Sequence, residues 1–250
     1  MRPLVFVHGF LGAPQMWRDV LAMTEHDGPV ESLLLPGHVQ APWFSTGETF
    51  DSAVDAVALR IPEGEPAILV GYSMGARIAL GIAARHPARV AGLVLVGFDP
   101  GLPTEEERRA RAAWDDAQAR AIEESGLPRF VEVWSALPIF ASQAALPPSV
   151  REARRQERLG HTTRGLSWAM RVLGLGRMPP RWDALATIAA PLHLVTGEED
   201  EKFTALSRRV LEKVSSATHS VIPHVGHDVA LEAPRALARE IRKVTKGNTP

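Results

Sequence analysis

The sequence predicts an α/β fold in which one mostly parallel sheet carries helices on both faces and accepts a helical insertion. Three observations lead there. Short apolar runs recur along the chain and are continuous rather than alternating, as strands buried on both faces require. Between them lie stretches whose apolar residues are spaced by three and four, the period of a helix with one buried stripe. One long segment, 103–182, contains no strand-like run and reads as helical throughout. Strands alternating with helices imply right-handed βαβ units in an open sheet, and 250 residues suit one domain of that kind.

In chain order, LVFVHG (4–9) is the first strand and VESLLLPG (30–37) a weaker second. TFDSAVDAVALRI (49–61) reads as a helix, AILVGYS (67–73) as a strand and MGARIALGIAARHP (74–87) as a helix. That helix stops at His86-Pro87, because a residue before proline avoids the α region. VAGLVLVGF (90–98) and PLHLVTG (191–197) are strands, SSATHSVIPHVG (215–226) is a sixth, and EAPRALAREIRKV (232–244) is a closing helix. The expected division is an α/β core from 1–102 and 183–250, with 103–182 as a helical cap.

Composition narrows the function. Hydrophobic residues make up 45% and charged residues 23%, with a net charge of −1, which excludes a disordered chain and gives no global attraction for nucleic acid or an acidic membrane. The absence of cysteine excludes disulfides, thiolate metal sites and a cysteine nucleophile. The five-residue apolar run in MRPLVFVHGFLG is too short for a signal peptide or a membrane span, so a cytoplasmic protein is expected. The histidines are scattered without ligand spacing, and no phosphate loop or dinucleotide fingerprint occurs, so neither metal nor cofactor is expected. Segment 103–182 holds 13 arginines, no lysine and ten acidic residues. Arginine used to the exclusion of lysine points to carboxylate binding, since its planar fork matches a carboxylate.

Gly71-Tyr72-Ser73-Met74-Gly75 is G-x-S-x-G between a strand and a helix, the context in which a tight turn lifts a serine hydroxyl above the sheet. Such a serine needs a histidine to take its proton and a carboxylate to hold that histidine. In this chain order the acid follows the serine and the histidine comes last. Asp200 follows the strand PLHLVTG; Glu198 and Glu199, nearer the strand, read as solvated turn residues, and Asp99 is a weaker candidate after the preceding strand. His227 follows Gly226 in the loop after the last strand, with His224 as its rival. His8-Gly9-Phe10-Leu11-Gly12 places the backbone N–H of Phe10 beside that of Met74, the residue after the serine, as an oxyanion-binding pair. His8 itself reads as structural, as does His38 in the turn Leu35-Pro36-Gly37-His38.

Together these residues resemble the α/β-hydrolase superfamily over nearly the whole chain. Less generic features resemble the 2-succinyl-6-hydroxy-2,4-cyclohexadiene-1-carboxylate synthases of menaquinone biosynthesis. These are Arg77 four residues after the serine, Lys202-Phe203 beyond the acid, Phe130-Val131-Glu132-Val133-Trp134, Leu137-Pro138-Ile139-Phe140, and the run Arg154, Arg155, Arg158-Leu159. The resemblance implies a lyase that eliminates pyruvate from a succinyl cyclohexene carboxylate with a triad of Ser73, Asp200 and His227. It implies substrate contacts at Tyr72, Arg77, Arg111, Trp134 and Arg158, and a small polycarboxylate as partner. Two positions depart from the family: Gly37-His38-Val39 stands where Gly-His-Gly is usual, and Ala76 replaces a common glycine. A carboxylesterase or thioesterase with Ser73 as nucleophile is the alternative, since every triad feature serves it equally. A non-catalytic receptor on the same fold would have lost a triad member, and none is lost.

Overall fold

The computed structural model describes residues 1–41 and 48–247. Its elements are β1 (Leu4–Val7), α1 (Arg18–Thr24), β2 (Val30–Leu33), α2 (Phe50–Ala58), β3 (Ala67–Tyr72), α3 (Met74–Arg85) and β4 (Val90–Val96). Then come α4 (Glu105–Ser135), α5 (Pro148–Leu159), α6 (Thr163–Leu173), α7 (Trp182–Leu185), β5 (Leu192–Gly197), α8 (Glu201–Lys213), β6 (Thr218–Ile222), α9 (Val229–Glu232) and α10 (Pro234–Thr245). The six strands form one sheet in the order β2-β1-β3-β4-β5-β6, and every pair is parallel. The order reverses at β1, so a crevice opens between the carboxyl ends of β1 and β3, where such sheets bind ligands.

Alternate residues of each strand face opposite layers. Val5, Val7, Leu69, Leu93, Leu95 and Leu194 pack on one side with α2 and α3, while Leu4, Phe6, Val70, Val94, Val96 and Val195 pack on the other with Trp17 and α10. The central strands β1, β3 and β5 are buried at every residue, whereas β2 and β6 at the edges are not. On α10, Leu237, Ala238, Ile241 and Val244 follow the three-four spacing onto the sheet. Burial of each large aliphatic side chain there contributes about 1.5–3 kcal/mol.

Boundaries differ from the sequence reading where local geometry intervenes. The last helix starts at Pro234 rather than 232, because Ala233 (φ −143°, ψ 58°) breaks it from α9. The segment between β4 and β5 is not α-helical throughout. Gly126 kinks α4 at φ 74°, and Leu137 enters Pro138 in an extended conformation, so Pro138–Ala145 forms a 3₁₀ helix. The expected boundary at 182/183 falls inside α7, whose Trp182 donates to the Gly101 carbonyl at 2.8 Å. The helices α4 and α6 build their own apolar cluster of Ala119, Ile122, Phe130, Val131, Leu166 and Met170. Leu11, from the loop after β1, inserts into it and joins it to the sheet.

Candidate active site

Ser73 sits between β3 and α3 at φ 51° and ψ −109°, a conformation that costs a non-glycine residue on the order of 1–3 kcal/mol. Tertiary bonds hold it there: its N–H donates to the Val96 carbonyl at 2.8 Å, and its carbonyl accepts the Arg77 N–H at 3.2 Å. The flanking glycines are steric necessities. A Cβ on Gly75 would fall on the Val7 carbonyl oxygen, and one on Gly71 would lie 2.6 Å from the Ala76 Cα.

The loop after β6 brings His227 to this turn. Its Nε2 lies 3.2 Å from Ser73 Oγ and its Nδ1 lies 2.6 Å from Asp200 Oδ2. The Asp200 pairing makes Nδ1–H the donor and leaves Nε2 to accept the serine proton. Asp200 lies between β5 and α8, with its N–H donating to the Gly197 carbonyl at 3.1 Å. The rings of Tyr72, Phe203 and Phe140 stand 5.2, 4.6 and 6.2 Å from the imidazole, which is 2% exposed. Gly97, at φ 58°, leaves room for it: a Cβ there would meet His227 Cε1 at 2.5 Å. The Glu232 carboxylate accepts the N–H groups on either side, of Gly226 at 2.9 Å and Asp228 at 3.2 Å. Burial pushes the Glu232 carboxyl above its usual range, and the Gly226 N–H opposes that shift.

The rivals lie elsewhere. The His224 side chain is 91% exposed, near Glu198. Asp99 is buried, and its Oδ1 accepts the Gly101 N–H at 2.9 Å. Phe10 follows β1 in the loop that enters the crevice, and Met74 opens α3 directly after Ser73.

Ser73, Arg77, Asp99, Arg111, Lys202 and Phe203 line one recess of about 60 Å³. Arg77 is 8% exposed and donates to the Leu173 carbonyl at 2.9 Å. Among the described residues no carboxylate lies within 4.0 Å of it, so it is not held by a core ion pair. Burial, and next the Arg111 charge, bring its pKa down to about 10. Asp115 and Asp99 oppose that shift, and Asp99 shares the recess. Arg111 is anchored by the fully buried Asp115, from its Nε at 2.8 Å.

The comparisons with known proteins decide the family. Residues 4–240 match the alpha/beta hydrolase family. The chain belongs to that family. Within it, a 2-succinyl-6-hydroxy-2,4-cyclohexadiene-1-carboxylate synthase from Enterobacter sp. (strain 638) is 33% identical over 97% of this chain and 91% of its own length. The chloroplastic protein PHYLLO of Arabidopsis thaliana is 33% identical over 96% of this chain, which spans 15% of that much longer protein. Among solved structures, MenH from S. aureus superposes with a TM-score of 0.92 at 29% identity, covering 100% of this chain and 95% of that one. A thermophilic esterase from Thermogutta terrifontis, at TM-score 0.83 and 23% identity, shares the fold. No helix among the described residues is long and apolar enough to cross a membrane.

The remaining residues singled out from sequence fall into two groups on this alpha/beta hydrolase. Tyr72 is buried against His227, and Trp134 stacks on Phe130 at 5.4 Å and meets Phe10 edge-on at 5.0 Å. Arg158 is apart from the serine recess. It lines a cavity of about 590 Å³ between α4, the 3₁₀ segment and α5, and it stands 5.2 Å over the Phe140 ring. His8 is structural: its Nε2 accepts the Leu35 N–H at 3.0 Å, so its Nδ1–H donates to the Gly9 carbonyl at 2.8 Å. Three contacts were not assigned from the sequence, although Lys202 and Arg154 are among the residues that carry the resemblance. Lys202 lines the recess, Asp115 anchors Arg111, and Arg154 pairs with Asp228. Asp115 had a signal, since it stands four residues after Arg111 where helix neighbours meet. Arg154 and Asp228, 74 residues apart, had none.

Proposed function

We propose that this chain is a carbon–oxygen lyase. It eliminates pyruvate from 2-succinyl-5-enolpyruvyl-6-hydroxy-3-cyclohexene-1-carboxylate to give 2-succinyl-6-hydroxy-2,4-cyclohexadiene-1-carboxylate. The observation that carries this reading is the recess in which Ser73 sits beside buried Arg77, with Arg111 and Lys202 lining it too, so that three cations face one carboxylate, Asp99. An esterase for neutral substrates has no use for such a charge, whereas a polycarboxylate substrate supplies its partner. The names of the relatives support the same reaction.

In this reading Ser73, His227 and Asp200 act as the triad. His227 Nε2 draws the proton from the Ser73 hydroxyl, and the serine oxygen takes the carbon-bound proton of the substrate. The C2–H electron pair forms the C2=C3 double bond, the C3=C4 pair shifts to C4=C5, the C5–oxygen bond breaks, and the enolpyruvyl group leaves as an enolate that becomes pyruvate on protonation at carbon. Asp200 holds the imidazole tautomer and stabilises the imidazolium. The N–H groups of Phe10 and Met74 receive the developing oxyanion, and Arg77, Arg111 and Arg158 hold carboxylates, with Tyr72 and Trp134 as walls. General base catalysis contributes about 10²–10⁴-fold, and orientation and fixed charge supply the rest. Residues 103–182 act as the cap over this site.

A coupled assay for pyruvate release, run beside p-nitrophenyl ester hydrolysis, tests it. Pyruvate release that collapses in Arg77→Ala and Ser73→Ala, with feeble ester turnover, is expected. Strong ester turnover that survives Arg77→Ala, with no pyruvate, establishes the carboxylesterase or thioesterase alternative. The 3.2 Å approach of Ser73 to His227 suits that alternative too.

A further inference from the structure

The inner face of α5 meets the loop that carries His227. Arg154, 7% exposed, donates from Nη2 to Asp228 Oδ2 at 2.5 Å, and Asp228, the residue after His227, is 1% exposed. The other Asp228 oxygen accepts the Leu231 N–H at 3.3 Å and so caps α9. Arg154 Nη1 also reaches Glu157 at 3.2 Å, while its Nε has no partner among the described residues. Burial works against the Arg154 charge, but Asp228, Tyr72 and Glu157 together outweigh it and hold the guanidinium above its usual range. One turn on, Arg158 donates to Ser135 Oγ at 2.5 Å and covers Phe140, whose ring faces the imidazole. α5 therefore touches the loop of His227 through an ion pair and its ring through an aromatic side chain.

A buried guanidinium–carboxylate pair adds little net stability, because desolvating both charges offsets their attraction. What it supplies is geometry, since the planar fork and the buried carboxylate fit in a narrow range of orientations. Here the partners come from the insertion between β4 and β5 and from the loop after β6, and the second partner is bonded directly to His227.

We propose that Arg154 is a positioning residue that, through Asp228, sets the His227 imidazole against Ser73. This rests on reading Ser73, His227 and Asp200 as the reacting set, but not on the identity of the substrate.

The test is the double variant Arg154→Met/Asp228→Asn, which removes both charges and keeps a side-chain oxygen to cap α9. Three quantities are measured: thermal unfolding, the rate of Ser73 inactivation by a fluorophosphonate, and kcat and KM for pyruvate release. Inactivation and kcat are expected to fall together by about 10–100-fold, as misplaced reacting groups do. KM and the unfolding temperature stay close to those of the parent. Arg154→Lys, which keeps the charge but not the fork, is expected to recover part of both rates. A double variant that folds and reacts at parental rates overturns the proposal. So does a rise in KM with both rates unchanged, because Arg154 then binds substrate instead. Should the double variant fail to fold, Arg154→Lys decides: inactivation slowed by about threefold or more supports positioning, and a parental rate refutes it. If the parent releases no pyruvate yet the fluorophosphonate rates fall as expected, the lyase reading fails and the positioning role stands.

Discussion

Lowering the pH from about 7 to about 5 is expected to destabilise this protein, mainly through three buried histidines that stand together, with His219, lowered by burial to about 4, adding in the same direction. His8, His38 and His161 stand in a chain, with ring centroids 4.8 and 5.5 Å apart. Burial brings His8 down to about 3 and His161 to about 4, and it pushes His38 well below its ordinary value of 6.5. Their hydrogen bonds suit the neutral ring: His8 Nε2 accepts from Leu35 and His161 Nδ1 accepts from Val39, at 3.0 and 2.8 Å. Val39 is also where the family usually has glycine, and it holds φ 51° with its N–H on His161. All three are bases with depressed values in the folded state, so below 6.5 the unfolded chain binds protons that the folded one refuses. Stability is whole above 6.5 and is lost as the pH falls from 6.5 towards 3. Each group removes about 1.4 kcal/mol per pH unit, and three remove about 4. Between 6.5 and 5 the loss reaches about 6 kcal/mol, comparable with the whole stability of an ordinary domain. Urea unfolding at several pH values between 5 and 7 measures the slope directly. His161→Gln keeps an acceptor for Val39 and is expected to reduce the slope by about 1.4 kcal/mol per pH unit. A parental slope of one proton or fewer, or one unchanged in His161→Gln, refutes the reasoning.

Two further outcomes follow from the turn and the triad. Gly75→Ala places a Cβ on the Val7 carbonyl oxygen and is expected to cost about 3 kcal/mol, read as a fall in melting temperature of about 10 °C. A melting temperature within about 2 °C of the parent contradicts the steric argument. Asp200→Asn keeps the shape at 2.6 Å from His227 Nδ1 but lets the imidazole adopt the wrong tautomer. It is expected to lower kcat for pyruvate release by about 10³-fold or more with KM little changed; a loss under about tenfold argues against Asp200 as the orienting acid.

Much of this protein is legible along the chain. All six strand runs became strands; those of β1, β3, β4 and β5 are apolar, rich in β-branched residues, bounded by glycine or a turn, and shorter than the helices between them. The serine turn was legible for a local reason as well: Gly71 and Gly75 are needed within five residues by the turn itself. Helix ends were less so, as at Ala233 and Gly126, where single dihedrals interrupt patterns that look continuous.

The order of serine, acid and histidine comes from the chain, as does the preference for His227 over His224; the fold adds that one ring is buried and the other in solvent. The same holds for charge. Thirteen arginines in one segment suggest carboxylates, yet sequence cannot say which arginine already has one. Among the described residues, Arg111 pairs with Asp115 and Arg154 with Asp228, whereas Arg77 donates to a carbonyl and has no carboxylate within 4.0 Å. Periodicity and turn chemistry are properties of neighbouring residues, so the sequence by itself determined the strands, the elbow and the order of the reacting groups. Pairing, burial and the displacement of a pKa depend on groups brought together from distant parts of the chain, so only the packed structure decided which charges are left without a partner.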